Sequence, residues 1–509
     1  MGRLFGTDGA RGVAITELTC EMAMQIGRAA AVVLTRKAHH KPKFLIGKDT
    51  RISSDVLEAA LIAGICSMGA DAVTLGVVPT PAVAFLVKKR NADAGVMISA
   101  SHNSMEFNGI KLFSGSGYKL SDDIEEEIER LIFENPEEIA QAMTGGKNVG
   151  KVNRDKNAEW DYIRSVMKTI DHDLSGIRVA IDCANGSAST TVERLFGGLG
   201  ATVFLINCTP NGININDRCG STCMDALASF VKEKKCHIGV AFDGDADRCL
   251  AVDEKGAIID GDKLIAIFAR NMRDKGTLKK NTAVVTVLTN LGFTHFAKNN
   301  DINMITTKVG DRYIVEQMLA GGYNLGGEQS GHIIFHDYAT TGDGQLTAVQ
   351  LLSVLKRQER KASELGSIME RYPQVMINVK ILPKWKEAWK NDAEIEKIIS
   401  ENQKKLGSSG RILVRESGTE PLIRVMIEGR KFRLINEMAL AIADKIKERC
   451  PDSEQEARNK KQELNDTEEA AQTTEEQSIN EQNTEEQGQA QEEQSQDTDE
   501  VSTEEQSEE

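Results

Sequence analysis

The chain lacks the long apolar segments that direct a protein into a membrane or out of the cell. No run in its 509 residues approaches the roughly 18 consecutive apolar residues of a membrane-spanning helix. Residues 1–12 are polar and rich in glycine, unlike the apolar core of a secretory signal. We therefore expect a cytoplasmic protein without a membrane partner.

The sequence also lacks a cysteine framework and a basic stripe. Its nine cysteines are an odd number scattered through apolar segments, and the closest pair, Cys219 and Cys223, has no matching second pair. Neither a disulfide scaffold nor a zinc site is therefore expected. No cluster of Lys and Arg is interleaved with aromatic residues, which argues against nucleic acid as a partner.

Negative charge is concentrated at the C-terminal end. Residues 451–509 contain 21 acidic and three basic residues, whereas residues 1–450 contain 56 acidic and 59 basic residues. The terminal segment has no aromatic residue, so it cannot bury enough surface to offset the entropy of ordering. We expect a disordered acidic tail that either keeps the protein soluble or binds a basic partner of unknown identity.

Short apolar strands alternate with amphipathic helices from the N-terminal region to about residue 369, a rhythm that predicts α/β domains with largely parallel sheets. Near Tyr372 the composition changes, and the remaining elements predict a smaller α+β domain. The predicted fold class is therefore α/β, with three similar α/β domains, a C-terminal α+β domain and the tail. The predicted boundaries are 1–151, 152–254, 255–369, 370–449 and 450–509.

A serine lies at the end of one predicted strand. The apolar run Ala94–Ile98 stops at a turn of small and polar residues that contains Ser101. In parallel sheets ligands bind beyond the carboxyl ends of the strands, where this hydroxyl is expected. Ser101, with His102 and Lys111 nearby in sequence, could carry a covalent group. On this stretch alone, a plain polar turn capped by Ser and Asn is the favoured interpretation.

The turn Asp243–Arg248 places carboxylates at three alternate positions after an apolar strand. Asp243, Asp245 and Asp247 form an oxygen-rich group whose mutual repulsion a cation or full solvation would relieve. A calcium-binding loop is disfavoured, since Arg248 stands where that loop requires glycine and the flanking segments are predicted strands. A solvated turn without metal remains the other alternative.

Two further polar turns have spacings that suit a phosphorylated sugar. Between two apolar runs, Glu328 and Ser330 could bind vicinal hydroxyls, and His332 has the pKa range for proton transfer. Near the C-terminal end, the turn Arg415–Pro421 together with Arg424 offers hydroxyls, backbone N–H groups and guanidinium groups for an anion. Each turn alone is also compatible with a structural role.

Five motifs, in this order along the chain, resemble those of the α-D-phosphohexomutase superfamily: Phe5–Gly12, Ser99–Asn103, Asp243–Arg248, Gly327–His332 and Arg415–Pro421. The resemblance implies four domains around a central cleft and a phosphoserine at Ser101 that activity requires. It also implies one Mg²⁺ ion, bound by Asp243, Asp245 and Asp247 together with the phosphoserine. The reaction would move phosphate between two positions of a hexose through a bisphosphate.

The same resemblance implies roles for the remaining site residues. Glu328 and Ser330 would bind sugar hydroxyls. The residues around the transferred phosphoryl group, with Lys111 or His332 as proton carrier, would be Arg11, His102, Lys111, Arg248 and His332. The residues holding the second phosphate would be Arg415, Ser417, Gly418 and Thr419.

The resemblance extends to one branch of the superfamily. The Gly327–His332 loop and the segment Lys308–Tyr313 are most similar to the branch that converts glucosamine 6-phosphate to glucosamine 1-phosphate for cell-wall precursor synthesis. A mannose or glucose phosphate mutase, a metal-dependent sugar-phosphate phosphatase and a non-catalytic sensor are the alternatives. The sequence leaves the oligomeric state open, a homodimer included.

Three positions depart from the superfamily pattern. Ser104 replaces a usual proline and Phe107 stands where an acidic residue is common, so we expect a serine loop of altered shape or flexibility. Ala246 replaces a frequent glycine in the acidic turn, and we expect a modest backbone constraint there.

Overall fold

The computed structural model describes residues 4–6, 8–36, 38–417 and 421–452. The chain divides into two compact units between Tyr372 and Pro373. The N-terminal unit contains three sheets with helices and the C-terminal unit contains one smaller sheet, so the predicted fold class is confirmed. The predicted tail lies outside the described residues from position 453 onward.

The first sheet contains seven strands. They are β1 (Phe5–Gly6), β2 (Gly9–Val13), β3 (Lys43–Lys48), β4 (Asp71–Val77), β5 (Ala94–Ile98), β6 (Phe107–Ser114) and β7 (Val152–Arg154). The accompanying helices are α1 (Cys20–Thr35), α2 (Ile52–Ser67), α3 (Thr80–Lys89), α4 (Asp122–Phe133) and α5 (Pro136–Ala142). The spatial order is β1-β2-β6-β5-β3-β4-β7, with β5, β3, β4 and β7 parallel. Residues 152–154, just beyond the predicted boundary at 151, form one edge of this sheet.

The second sheet has the order β12-β11-β10-β8-β9. Strand β11 pairs antiparallel with both of its neighbours, β12 and β10. Its strands are β8 (Arg178–Asp182), β9 (Thr202–Ile206), β10 (Ile238–Phe242), β11 (Cys249–Asp253) and β12 (Ile258–Ile259). The helices of this region are α6 (Ala158–Met167), α7 (Val192–Gly198) and α8 (Asp225–Glu233). The parallel strands β8, β9 and β10 bring the turns that follow them to one edge.

The third sheet has the order β14-β13-β15-β16. Its strands are β13 (Thr282–Thr286), β14 (Asn303–Thr307), β15 (Leu325–Gly327) and β16 (Ile333–Phe335). The helices are α9 (Gly261–Asp274), α10 (Leu291–Asn299), α11 (Asp311–Gly321), α12 (Gly344–Gln358) and α13 (Ala362–Gly366). The turn between β15 and β16 carries the predicted sugar-binding residues.

The C-terminal unit is an antiparallel sheet with helices. Its elements are β17 (Gln374–Lys380), α14 (Trp385–Ala388), α15 (Ala393–Leu406), β18 (Gly410–Glu416), β19 (Leu422–Gly429) and α16 (Phe432–Arg449). The order of the strands is β17-β19-β18. The turn between β18 and β19 holds the predicted anion-binding motif.

Two strands that lead to the candidate site are buried along their whole length. All five residues of β5 and all five of β10 are buried. Both are continuous apolar runs, which is typical of parallel strands covered on both faces. Each run ends at a polar turn, so the change from apolar to polar residues marks the carboxyl end of each strand. None of the helices in the described part of the chain is long and apolar enough to cross a membrane.

Helices α1 and α2 cross at two glycines. A Cβ atom on Gly64 would lie 2.2 Å from the carbonyl oxygen of Met24, and one on Gly27 would lie 2.7 Å from that of Leu61. Both distances are shorter than any van der Waals contact, so the backbones approach as closely as they do because neither position has a side chain.

We predict that Gly64→Ala lowers the free energy of unfolding by about 2–3 kcal/mol, since the added methyl group must separate the two helices. Urea unfolding followed by circular dichroism measures the change. Gly197→Ala is the matched control, because Gly197 is a helical glycine whose added Cβ would contact nothing within 4 Å. The control should be neutral or slightly stabilising, and equal destabilisation of both variants would contradict the prediction.

Candidate functional site

Two polar turns of the N-terminal unit meet at a hydrogen bond. The hydroxyl of Ser101, beyond the end of β5, donates to Asp243 Oδ2 at 2.6 Å. Asp243 is the first residue after β10. Both side chains are buried. Residues 142 positions apart are thus joined because two strands of different sheets end at the same place.

Ser101 occupies an unusual backbone conformation. Its φ angle is 53°, in the left-handed region, which costs a residue with a side chain about 1 kcal/mol or more. Its N–H donates to the hydroxyl of Ser99 at 2.9 Å, and that hydroxyl donates to Asp49 Oδ2 at 2.6 Å. The hydroxyl is therefore presented by a loop whose shape the surrounding residues must hold.

Two side chains that the sequence reasoning missed hold the serine loop. Arg51 is fully buried, and its guanidinium donates to the carbonyl oxygens of Ser101 at 3.1 Å and Asn103 at 2.8 Å. The same group donates to the carbonyls of Ser104 and Phe107 and pairs with Asp49. From the second sheet region, the Asn216 amide donates to the carbonyls of Ser101 and Asn103, both at 2.9 Å.

The signal for Arg51 was present in the sequence. It stands in a polar turn directly after the apolar strand β3, as Ser101 stands after β5. Since β3 and β5 are parallel neighbours, the two turns lie at the same edge of one sheet. Asn216 lies in a long loop after β9, and no sequence pattern distinguishes it.

Three aspartates form an acidic cluster. Asp243, Asp245 and Asp247 are buried, and each offers a carboxylate oxygen within 4.8 Å of the others. Burial, and then the neighbouring charges of Asp247 and Asp245, raise the pKa of Asp243 well above its usual range. Asp245 Oδ1 and Asp247 Oδ1 are buried without a hydrogen-bond partner. Hard oxygen donors with unsatisfied lone pairs suit a small divalent cation, so these residues fit Mg²⁺.

Asp245 is held from two sides by the first domain region. The hydroxyl of Thr80 donates to Asp245 Oδ2 at 2.6 Å, and the Thr80 N–H donates to the Asp245 carbonyl at 2.9 Å. Lys111 Nζ donates to the same Oδ2 at 2.7 Å. Because these bonds occupy one carboxylate oxygen, they leave Oδ1 available to a cation.

The predicted cations surround Ser101 and the aspartates. Lys111 Nζ lies 3.1 Å from Asp8 and 3.6 Å from Asp247 as well as against Asp245. Burial alone would lower the pKa of Lys111, but the carboxylates of Asp245 and Asp8 outweigh it and raise that pKa. Lys111 is therefore a fixed positive charge at neutral pH.

Two arginines extend this positive region. Arg248 Nε lies 3.9 Å from both Asp243 and Asp247, and the backbone N–H of Arg248 donates to Asp243 Oδ1 at 3.1 Å. Arg11 pairs with Asp8 and donates to Asn103 Oδ1 at 3.3 Å. Both guanidinium groups keep a buried Nε without a hydrogen-bond partner, so each has a donor available to an anion.

The two predicted histidines have different surroundings. His102 Nδ1 lies 3.4 Å from the Ser101 hydroxyl, and burial together with Arg248 and Arg11 lowers the pKa of His102 to about 4. His332 Nδ1 lies 3.6 Å from Asp247. Burial opposes the charged form of His332, but Asp247 raises its pKa above the ordinary value. His102 is therefore neutral at pH 7, whereas the surroundings of His332 favour its charged form.

The sugar-loop residues lie beside this centre. Glu328 Oε1 accepts from the N–H of Gly310 at 3.2 Å, and Ser330 lies 3.4 Å from the other oxygen of Glu328. Glu328 is close enough to Arg248 to raise the pKa of that guanidinium. Both side chains are half-buried, so they remain accessible to a ligand.

Three further charged residues, none of them predicted as a site residue, join this group of ion pairs. Asp8 pairs with Lys111 and Lys119, and Lys119 Nζ lies 2.7 Å from Asp311. Asp311 lies 3.4 Å from His332 Nε2. Asp8 and Asp311 belong to motif segments that the sequence singled out, whereas no pattern marks Lys119.

The predicted anion-binding motif lies in the C-terminal unit. Arg415 and Arg424 face each other across β18 and β19, and burial together with the Arg424 charge lowers the pKa of Arg415. Like charges directly opposite in a sheet destabilise it, which an anion would relieve. Ser417 is buried, and its N–H donates to the Leu422 carbonyl at 2.8 Å. Gly418 and Thr419 lie outside the described residues.

The acidic turn contains the alanine noted in the sequence. Ala246 has a φ of 56°, the left-handed region that glycine occupies without strain, and it is fully buried. The methyl group therefore constrains the backbone between the second and third aspartates.

Four family profiles match the chain in order. All are described as phosphoglucomutase/phosphomannomutase: alpha/beta/alpha domain I over residues 2–138, domain II over 160–256, domain III over 260–372 and the C-terminal domain over 376–445. Together these matches cover most of the chain outside the acidic tail.

Solved structures share the fold. A phosphoglucomutase/phosphomannomutase family protein from Burkholderia thailandensis has a TM-score of 0.73 at 22% identity, over 87% of this chain and 96% of that chain. Aspergillus fumigatus N-acetylphosphoglucosamine mutase, solved in complex with GlcNAc-6P and magnesium, has a TM-score of 0.62 at 17% identity, over 87% and 95% of the two chains.

A curated relative is much more similar in sequence. Phosphoglucosamine mutase of Clostridium perfringens (strain SM101 / Type A) is 53% identical over 450 residues, which are 88% of this chain and 100% of that one. The unmatched part of the chain corresponds in length to the acidic tail. The chain therefore belongs to the phosphoglucosamine mutase family of the phosphohexomutase superfamily.

Proposed function

We propose that this protein interconverts glucosamine 6-phosphate and glucosamine 1-phosphate, an isomerase reaction that feeds amino-sugar synthesis for the cell wall. The observation that carries the proposal is the contact of the Ser101 hydroxyl with the buried aspartate cluster, in a chain 53% identical to a phosphoglucosamine mutase. Ser101 would carry the phosphoryl group, and glucosamine 1,6-bisphosphate would be the intermediate.

The charges around Ser101 support this role. A phosphoserine brings a charge of about −1.5 to −2 at neutral pH, which uncompensated carboxylates would repel. When bound by Asp243, Asp245 and Asp247, a Mg²⁺ ion supplies positive charge that offsets this repulsion and polarises the phosphoryl group. Lys111, Arg248 and Arg11 supply fixed positive charge to the transferring oxygens without any change in protonation.

The bond changes follow from this arrangement. A sugar hydroxyl attacks the phosphorus of phosphoserine 101, the bond from phosphorus to Ser101 Oγ breaks, and the sugar becomes a bisphosphate. The hydroxyl proton passes to a basic group, for which His332 is the candidate because an imidazole can accept and return a proton, and it ends on Ser101 Oγ, the leaving oxygen. After the bisphosphate turns over, Ser101 Oγ attacks its other phosphorus, and the bond from that phosphorus to the sugar oxygen breaks. The serine proton passes back through His332 to that sugar oxygen.

Two sets of residues would hold the sugar during this exchange. Glu328 and Ser330 can accept from and donate to adjacent hydroxyls, and they stand beside Arg248. Arg415, Ser417 and Arg424 would bind the phosphate that is not being transferred, with Gly418 and Thr419 from the same turn. A fixed second phosphate distinguishes a mutase from a phosphatase, because it retains the bisphosphate until the second transfer.

A comparison of substrates tests the proposed activity. We expect glucosamine 6-phosphate, with catalytic glucosamine 1,6-bisphosphate, to be converted at a higher kcat/KM than mannose 1-phosphate or glucose 1-phosphate in coupled assays. Faster turnover of mannose or glucose phosphate would assign the protein to the phosphomannomutase/phosphoglucomutase activity. Release of inorganic phosphate in place of isomer would establish a phosphatase.

The phosphoryl carrier is tested by intact mass and kinetics. We predict that Ser101→Ala removes a phosphate-sized mass increment and lowers kcat by about a thousandfold or more, as loss of a covalent nucleophile does. Ser104→Ala is the matched control, because Ser104 is an exposed serine of the same loop. It should keep both the phosphate and the activity, and an unchanged mass increment in Ser101→Ala would refute the assignment.

Removal of divalent cations tests the metal site. We expect a chelator to abolish turnover and added Mg²⁺ to restore it. Asp245→Asn should lower the affinity for Mg²⁺ by about a hundredfold or more, since changes next to a metal ligand already cost 10–100-fold. Titration calorimetry measures the affinity. Asp253→Asn, a buried aspartate in β11 outside the cluster, is the control, and equal effects of both variants would contradict the assignment.

A further inference from the structure

A cavity with an aromatic lining lies in the N-terminal unit, apart from the candidate site. It encloses about 450 Å³. Small-ligand pockets typically enclose about 300–1,000 Å³, so this cavity is large enough for a ligand. Its walls come from α3, α6, the segment after β6 and the segment between β16 and α12. All three sheet regions of the unit therefore contribute to it.

Aromatic residues are concentrated around this cavity. The chain has six tyrosines, and three of them, Tyr118, Tyr162 and Tyr338, line the cavity together with Phe85. His336 adds an imidazole, whose Nε2 lies 2.7 Å from the Tyr118 hydroxyl. Burial lowers the pKa of His336 below its ordinary value, so this ring is neutral at pH 7. Rings of this kind favour a planar aromatic ligand, on which they can stack.

One positive charge at the cavity has no carboxylate partner. Lys88, in the last turn of α3, lines the cavity and is exposed, and within the described residues its ammonium group makes no ion pair. Its neighbour Lys89 pairs with Asp161 at 2.8 Å. A Cβ atom on Gly117 would lie 3.2 Å from Cγ and Cδ of Lys88, so the lysine stem lies against the segment that carries Tyr118. The ammonium group is therefore available to an anionic group of a ligand.

The carboxylates of the lining are already engaged. Asp337 pairs with Lys279 at 2.5 Å. Asp343 is buried, and its Oδ1 accepts from the Tyr162 hydroxyl at 2.8 Å and from the N–H of Leu346 at 2.9 Å. The charge that the cavity offers to a ligand is thus the positive charge of its lysine.

A buried hydroxyl of the lining also lacks a partner. Thr341 is 2% exposed, and within the described residues its Oγ1 has no hydrogen-bond partner. The neighbouring hydroxyl of Thr340 differs, since it donates to the Gly117 carbonyl at 2.6 Å. A buried hydroxyl without a partner is unfavourable, and a ligand that hydrogen-bonds to Thr341 would remove that cost.

The segment that contains Thr341 separates the cavity from the candidate site. The N–H of Gly342 donates to His332 Nε2 at 3.0 Å, and the N–H of Gly344 donates to the Ala246 carbonyl at 3.0 Å. One side of this segment thus contacts the candidate site, and another side lines the cavity. A ligand in the cavity would therefore lie across this segment from the proposed phosphosugar.

We propose that this cavity binds a planar aromatic ring that carries an anionic group, with the ring against the tyrosines, the anion at Lys88 and a hydrogen bond to Thr341. Two classes of small molecule share this chemistry, nucleoside monophosphates and aromatic carboxylates. The site goes beyond the proposed function and is independent of it, because the binding uses none of the residues assigned to the reaction.

Titration calorimetry of the full-length protein with uridine 5′-monophosphate and with 4-hydroxybenzoate tests the class of ligand. We expect at least one of them to bind about tenfold more tightly than uridine, phenol or inorganic phosphate, since a hydrogen bond to a charged group contributes about that factor. Each of these three compounds has only the ring or only the anion. Tighter binding of the nucleotide or of the carboxylate identifies the source. Absence of binding by both probes, or equally tight binding of a compound with one part, would overturn the proposal.

Substitutions show where the probe binds. Lys88→Ala changes an exposed residue and should lower the affinity about tenfold, and Thr341→Val, which replaces the hydroxyl by a methyl group, should lower it several-fold. Lys298→Ala is the matched control, because Lys298 is an exposed lysine in the last turn of α10, outside the lining. The control should bind the probe like the parent protein. Equal affinity of Lys88→Ala and the parent would overturn the proposal.

A competition experiment separates the cavity from the candidate site. The probe should stay bound in excess glucosamine 6-phosphate, and its displacement would overturn the proposal. An absence of mutase activity would instead overturn the proposed function. It would leave the comparison of Lys88→Ala with Lys298→Ala unaffected, because these affinities are measured without turnover.

Discussion

The burial of three aspartates in one turn is the constraint on which the centre of the N-terminal unit depends. Asp243, Asp245 and Asp247 repel one another where water is excluded, so the fold must supply compensating charge and donors. Lys111 and Thr80 donate to the same oxygen of Asp245, and the Arg248 backbone N–H donates to an oxygen of Asp243. Two carboxylate oxygens stay without a hydrogen bond, and that remaining deficit suits the cluster to a cation.

A second constraint acts on the backbone of the serine loop. The hydroxyl of Ser101 reaches Asp243 from a left-handed backbone conformation. A turn without supporting contacts would relax out of that conformation. Arg51 and Asn216, from different sheet regions, both hold the loop through its carbonyl oxygens. The first and second sheet regions therefore fix the geometry of one serine together.

The sequence was sufficient where a short pattern determines a local structure. The apolar runs of β5 and β10 predicted buried strands, their polar ends predicted the serine and aspartate turns, and the order of the motifs predicted the family, which the comparisons confirm. The α/β architecture is likewise confirmed. The domain boundaries and the roles of individual site residues stay predictions.

The sequence was insufficient where a residue acts only through distant partners. Arg51 lies 50 positions from Ser101, and although the sequence shows its polar turn after a strand, no local pattern specifies the parallel pairing of β3 and β5 that brings it to Ser101. Asn216 and Lys119 are isolated polar residues, and their roles depend on contacts that form only in the folded protein.

The way in which Arg51 binds has a consequence for how the sequence of this loop can change in evolution. Besides its ion pair with Asp49, its guanidinium donates to four main-chain oxygens of the loop, those of Ser101, Asn103, Ser104 and Phe107. Main-chain atoms are the same in every residue type, so an arginine in the turn after β3 holds the shape of the loop without reading its side chains. The side chains at 104 and 107 are thereby released from this structural duty, and substitutions there can accumulate while Ser101 keeps its position.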